Sequence, residues 1–200
     1  MAARAASAPD SQREFVAVFG AAWATPDSEL YALSVELGAA LGSASFDVVN
    51  GGYGGTMEGV SKGATSVGAL AVGVTVPELF AFRGTGGNAY NSEEVRTPSL
   101  LSRIEAMLSR APRFVVVLPG TLGTLTELCC AMNTALLYGL AGRAKTRIFA
   151  WRKPWGTVID QAGDALGLDA ATRALVTFVD SVDECVALLV EAAREGTQSG

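Results

Sequence analysis

The sequence predicts a doubly wound α/β fold, three layers deep, with a parallel sheet between helices. Short β-branched apolar runs alternate with helical patterns along the chain, as βαβ units require. Two of those runs end in glycine-rich loops, as expected where ligands bind at the carboxyl edge of a Rossmann-like sheet. The 200 residues, 50% hydrophobic and 18% charged, suit one domain with an ample core and leave no room for a second. That domain is assigned to residues 13–194. The Ala/Ser-rich stretch 1–12 and the polar end 195–200 read as disordered tails.

Phe15 to Phe19 is the first strand, ending at Gly20-Ala21-Ala22-Trp23. Pro26-Asp27-Ser28 then starts a helix with Leu30, Leu33, Leu37 and Leu41 as its apolar stripe. Phe46 to Val49 is a second strand, followed by Asn50-Gly51-Gly52-Tyr53-Gly54-Gly55-Thr56-Met57 and a helical pattern to Thr65. So many glycines cost backbone entropy, which a mere connector rarely needs. A third strand covers Leu70 to Thr75, and a long loop from Pro77 to about Arg96 follows. Its Glu78, Arg83, Asn88, Tyr90, Asn91, Glu93 and Glu94 suit either a ligand cover or a solvated surface loop.

Thr97-Pro98 supplies a cap and first-turn pair for a helix whose core face is Leu101, Ile104, Met107 and Leu108, with Arg103 beside that face. Phe114 to Leu118 is a strand buried on both faces, stopped by Pro119-Gly120. A helix starting near Gly123 or Thr124 runs to about Leu136, and Arg147 to Trp151 and Leu175 to Val179 are the last strands.

The loop Pro119-Gly120-Thr121-Leu122-Gly123-Thr124 is an anion cradle, because the first free N–H groups and the positive dipole end of the next helix converge on it. Glu127 lies about one turn further on. No lysine follows in the manner of a nucleoside triphosphatase, and Gly20-Ala21-Ala22 stands where a dinucleotide fingerprint would be. The chain has no histidine, which excludes histidine-based nucleophilic catalysis, a histidine general base and histidine-ligated zinc. Three cysteines do not make a disulfide scaffold; Cys129, Cys130 and Cys185 read as buried thiols of a cytoplasmic, reducing compartment. The net charge of −5 argues against nucleic acid or a membrane surface as partner.

What remains is a phosphorylated small molecule beside a carboxylate and, if Arg103 reaches it, a guanidinium. Cleavage of an N-glycosidic bond suits that equipment, since a carboxylate stabilises an oxocarbenium-like transition state or orients water. Arg103 could pair with Glu127, contact the phosphate, polarise the leaving base, or merely sit on the surface.

Three segments, Val16 to Ala21, Gly51-Gly-Tyr-Gly-Gly-Thr-Met and Leu118-Pro-Gly-Thr-Leu-Gly-Thr-Leu-Thr-Glu, resemble the motifs of the LOG family. Its characterised members are nucleoside 5′-monophosphate phosphoribohydrolases that release cytokinin or other bases. The resemblance runs from about Phe15 to Val190. It implies a catalytic Glu127 and Arg103, phosphate contacts from Gly120, Thr121, Leu122, Gly123 and Thr124, and an opposite wall of Gly51, Gly52, Gly54, Gly55 and Thr56. Asn133 matches a polar position near the ligand in relatives. A nucleoside monophosphate substrate, a homodimer and the absence of any cofactor or metal are implied likewise. Ile104 stands where plant cytokinin enzymes carry lysine, and Thr121 replaces the second glycine of the family motif. If that glycine needs positive φ, threonine is strained; otherwise the loop turns differently or the glycine serves close approach. A nucleotide or molybdenum-cofactor carrier of the same fold is the alternative.

Overall fold

The computed structural model describes residues 13–79, 86–143 and 146–197. Within them, β1 (Glu14–Phe19), β2 (Phe46–Asn50), β3 (Ala71–Thr75), β4 (Glu93–Arg96), β5 (Phe114–Val117), β6 (Arg147–Trp151) and β7 (Val176–Val179) form one sheet in the order β4-β3-β2-β1-β5-β6-β7. Every pairing is parallel. The helices are α1 (Glu29–Ser43), α2 (Thr56–Ser66), α3 (Leu100–Arg110), α4 (Leu122–Leu140), α5 (Arg152–Leu166), α6 (Ala170–Arg173) and α7 (Val182–Thr197). They flank the sheet, α1 against α2 and α7, and α3 against α4. This is the predicted three-layer doubly wound fold.

The chain winds outward from β1 through β2 and β3 to β4, then returns to place β5 on the other side of β1. That reversal opens a crevice at the carboxyl ends of β1 and β5, the switch point where such sheets take ligands. The strands beside it are apolar on both faces. Val16, Ala17, Val48, Val49 and Val115 to Val117 are fully buried, as helices on both sides require.

Several expectations are corrected. The loop expected over 77–96 contains β4, whose Glu93-Glu94-Val95-Arg96 offers only one apolar residue and so carries no strand signal; charge is what an edge strand uses to stay unpaired. Residues 80–85, Arg83 among them, lie outside the described residues, as does the expected tail 1–12. The cap of α3 is Ser99 rather than Thr97, in a reciprocal box with Ser102. Ile104 and Met107 are buried as expected, but Leu101 is 72% exposed. The buried member of that helix turn is instead Arg103, 6% exposed. α4 begins at Leu122 and runs past Leu136 to Leu140. α7 continues to Thr197, into the stretch expected to be a tail. Of the cysteines only Cys185 is buried; Cys129 is exposed and Cys130 half-buried.

Candidate active site

Three connections meet at the switch point: Gly20 to Trp23 after β1, Gly51 to Gly55 after β2, and Leu118 to Thr121 after β5. They are tied together by backbone bonds. Ala21 N–H donates to Pro119 O at 3.1 Å, and Thr56 N–H donates to Ala21 O at 2.9 Å. Trp155 lends its indole N–H to Leu118 O at 3.0 Å, and Thr124 donates its hydroxyl to Gly20 O at 3.0 Å. The result is a cleft of about 220 Å³ whose walls include Gly51, Tyr53, Met57, Arg103, Thr124 and Glu127.

Arg103 and Glu127 come together. Arg103 projects from α3 beneath the glycine loop, donating from Nε to Val74 O at 2.8 Å and from Nη2 to Gly51 O at 2.9 Å. Its Nη1 lies 3.6 Å from Glu127 Oε1. The Tyr53 ring lies 5.7 Å from the guanidinium carbon, and the Tyr53 hydroxyl accepts the N–H of Val76. Arg103 thus pairs with Glu127 and does not sit on the surface. A guanidinium forked between two backbone carbonyls is a fixed strut, and burial makes each of those bonds strong.

Glu127 is 8% exposed. Burial pushes its carboxyl up, the Arg103 charge pulls it down, and the balance is about 7. Desolvation prevails because the pair sits at 3.6 Å, without the bidentate contact that would hold the acid fully ionised. A carboxyl poised near neutrality exchanges protons readily at physiological pH, the property wanted of a general acid or base.

The start of α4 lies on the same cleft. Its N-cap Thr121 makes no side-chain cap bond, and the N–H groups of Leu122, Gly123 and Thr124 have no acceptor among the described residues; the first helical bond is Leu125 N–H to Thr121 O. α1 and α3 are closed by serine caps. An open first turn with an outward dipole favours an anion. Thr121 has φ −122° and ψ −151°, ordinary extended backbone, so the replacement of glycine carries no strain.

The sequence-derived site is thus brought together in part. Gly51, Thr121, Gly123 and Thr124 line the cleft with Arg103 and Glu127. Gly52, Gly55 and Thr56 are buried behind it and hold the wall, while Gly54, half-buried, and Gly120 do not line it. Leu122 presents its N–H but points its side chain outward, 76% exposed. Asn133 is exposed further along α4, away from the lining. Sequence reasoning missed Met57 and Tyr53, whose side chains read as helix and loop filler. It also missed that Asn88 and Asn91 turn inward, both donating to Gly52 O, rather than covering a ligand. A groove of about 270 Å³ between α3 and α4 is larger than the cleft, but among the described residues Glu105 is its only charged group and no acid–base pair lines it. Among the described residues no cluster of metal-ligating side chains occurs, and no helix is long and apolar enough to cross a membrane.

Fold and cleft together define a Rossmann-like protein with a ligand crevice at its switch point. The chain belongs to the SLOG cluster4 family, whose sequence profile matches residues 13–162. The LOG resemblance therefore holds at the level of the LOG-like SLOG superfamily. Among solved structures, the chain is similar to TM1055, a structural-genomics target, at 27% identity and a TM-score of 0.66, over 89% of this chain and 99% of that one. It is similar in fold to the molybdenum cofactor binding protein of the phototrophic bacterium Rippkaea orientalis, at 18% identity, a TM-score of 0.63 and 90% and 96% coverage. The molybdenum cofactor carrier protein of Chlamydomonas reinhardtii matches at 16% identity, a TM-score of 0.66 and 91% and 99% coverage. Comparison with curated protein sequences gives no match.

Proposed function

We propose that this protein is a nucleoside 5′-monophosphate phosphoribohydrolase, which uses water to split the N-glycosidic bond into free base and ribose 5-phosphate. The observation that carries the reading is a buried carboxyl poised near neutrality, Glu127, less than two turns into a helix whose first N–H groups are open. The phosphate sits on the N–H groups of Leu122, Gly123 and Thr124, and that remote binding energy fixes the sugar over Glu127. The ionised carboxylate takes a proton from water as the water oxygen bonds to the anomeric carbon. The C–N bond breaks with its electron pair leaving on the base, which takes up a proton from solvent at the mouth while Glu127 releases its own to water; until it is protonated, the carboxylate stabilises the positive charge that develops on the sugar. Arg103 keeps a share of Glu127 ionised against the pull of burial. At about 220 Å³ the cleft is smaller than most ligand pockets, so it seats the sugar phosphate and leaves the base at the mouth.

The homodimer is proposed to form through the exposed apolar side chains of α3 and α4, Leu101, Leu137 and Leu140, all more than half exposed. Sedimentation of the purified protein checks it: a monomer at micromolar concentration rejects it.

A second reading, a nucleotide or molybdenum-cofactor carrier, is favoured by one observation. Among the described residues Arg103 is the only cation lining the cleft, and it is tied to two carbonyls instead of being aimed at a leaving base. Purine, pyrimidine and cytokinin monophosphates assayed for free base separate the two. Hydrolysis is expected for at least one, with Glu127→Gln lowering turnover by about 10²–10⁴-fold. Binding without turnover, or a fully active Glu127→Gln, rejects the hydrolase in favour of the carrier.

A further inference from the structure

Behind the glycine loop a closed ring of hydrogen bonds holds one residue, Gly52, by both its N–H and its carbonyl. Gly52 N–H donates to Asn50 Oδ1 at 2.8 Å, Asn50 Nδ2 donates to Ser61 Oγ at 3.0 Å, Ser61 donates to Asn91 Oδ1 at 3.0 Å, and Asn91 Nδ2 returns to Gly52 O at 3.0 Å. Asn50 and Ser61 are fully buried. The ring joins β2, α2 and the chain leading into β4, elements far apart in sequence. Asn91 is at its centre of packing. A Cβ placed on Gly73 would fall 2.3 Å from its amide nitrogen, and one on Gly87 would fall 2.5 Å from it, so two glycines leave the space that this amide occupies.

Nothing in the ring touches the cleft directly, yet its output does. The neighbouring carbonyl, Gly51 O, is the acceptor that fixes Nη2 of Arg103, and a Cβ on Gly51 would lie 1.7 Å from that nitrogen. Since the guanidinium is planar and includes Nε, the Gly51 and Val74 bonds together set the plane in which Nη1 faces Glu127, and the Gly51 carbonyl is the one of the two that adjoins the ring. We propose that Asn91 is a positioning residue for the Arg103–Glu127 pair, acting through the Asn50–Ser61 ring and the Gly51 carbonyl. It rests on the reading of Glu127 as the working acid of the cleft, and deepens it by linking that acid to a chain segment at the sheet edge.

The link has a direction. Arg103 lowers the affinity of Glu127 for its proton, so a guanidinium freed to rotate away lets burial act with less opposition and Glu127 titrates at higher pH. Among the described residues Tyr53 and Arg103 are the other titratable groups lining the cleft, and no acid from a neighbouring helix lines it with them.

The experiment is carbon-13 NMR of the Glu127 carboxyl in the ligand-free full chain, its signal assigned by its loss in E127Q. Wild type is compared with Asn91→Ala, with Ser61→Ala, and with Val95→Ala, which trims the packing of β4 without touching the ring. Titration near pH 7 in wild type, with an upward shift of roughly half a unit or more in N91A and S61A and none in V95A, is the expected result. Unchanged Glu127 titration in N91A and S61A, or an equal shift in V95A, overturns the proposal. S61A carries the decision alone if N91A does not fold. The readout needs no turnover, so failure of the hydrolase reading shows in the nucleotide assay and leaves this test intact.

Discussion

The two glycine loops look alike in composition and differ in what their glycines make room for. In the loop after β2 the space at Gly51, Gly52 and Gly55 goes to the protein itself, and that at Gly54 is open. Gly52 and Gly55 have φ of +77° and +75°, a Cβ on Gly55 would meet Ala21 O at 2.3 Å, and Gly51 O already holds Arg103. In the loop after β5, Gly120 gives its space to the Thr124 side chain, but the start of the helix is left open. Gly123 has nothing within 4 Å of its Cβ position, Thr121 to Gly123 are exposed, and three N–H groups await an acceptor. A glycine-rich turn therefore serves assembly in one place and leaves a helix start open in the other. Only the hydrogen-bond accounts of the two loops tell them apart.

The largest effect that could break this contrast is a pair of alanine substitutions. Gly55→Ala meets both positive φ and a backbone clash and is expected to cost more than about 3 kcal/mol, seen as a lower denaturant midpoint or loss of soluble protein. Gly123→Ala, in an open first turn, is expected to be neutral or to gain up to about 1 kcal/mol. Equal costs at the two sites would erase the distinction.

A smaller effect sharpens the ligand half of the comparison. Leu122 is the first residue of α4, where proline fits, and Thr121 before it is extended, as proline requires. Leu122→Pro removes one open N–H and an exposed side chain. Calorimetry with ribose 5-phosphate should read a Kd raised roughly tenfold, with the melting temperature within about 2 °C of wild type. Unaltered affinity would detach the phosphate from this helix end.

The smallest effect is on stability against pH. Glu127 binds its proton more tightly folded than unfolded, near 7 against 4.5, so its contribution to stability is complete below about pH 4.5 and is lost as pH rises through 7. Glu127→Gln should flatten that part of the profile and melt about 3 °C or more above wild type at pH 8. A parallel pair of melting curves across pH 4 to 8 would mean that the carboxyl is not held near neutrality.

Much of the fold was legible because buried parallel strands are written in runs such as Phe114 to Leu118, and because Ser28 and Pro119 mark element ends. β4 was not, since an edge strand of two acids, a valine and an arginine carries no apolar period. Glu127 was legible from its place after an anion-binding turn. The burial of Arg103 was not, because the period of α3 points equally to Leu101, and only the carbonyls of Gly51 and Val74, brought in from other strands, draw the guanidinium inward. Asn91 had the same difficulty, as its partners lie on α2 and the glycine loop.

The charge pattern of β4 also bears on how the molecule behaves in a crowded solution. Glu93 and Arg96 are exposed on the strand that ends the sheet, and Glu93 is engaged by Arg110 of α3 at 3.4 Å. A foreign strand could extend the sheet there only by stripping water from those charges, a cost that discourages fibrillar growth and sheet-to-sheet domain exchange. Colloidal stability at high concentration is thus guarded at this edge by Glu93 and Arg96, and a Glu93→Val, Arg96→Val double exchange would remove the guard.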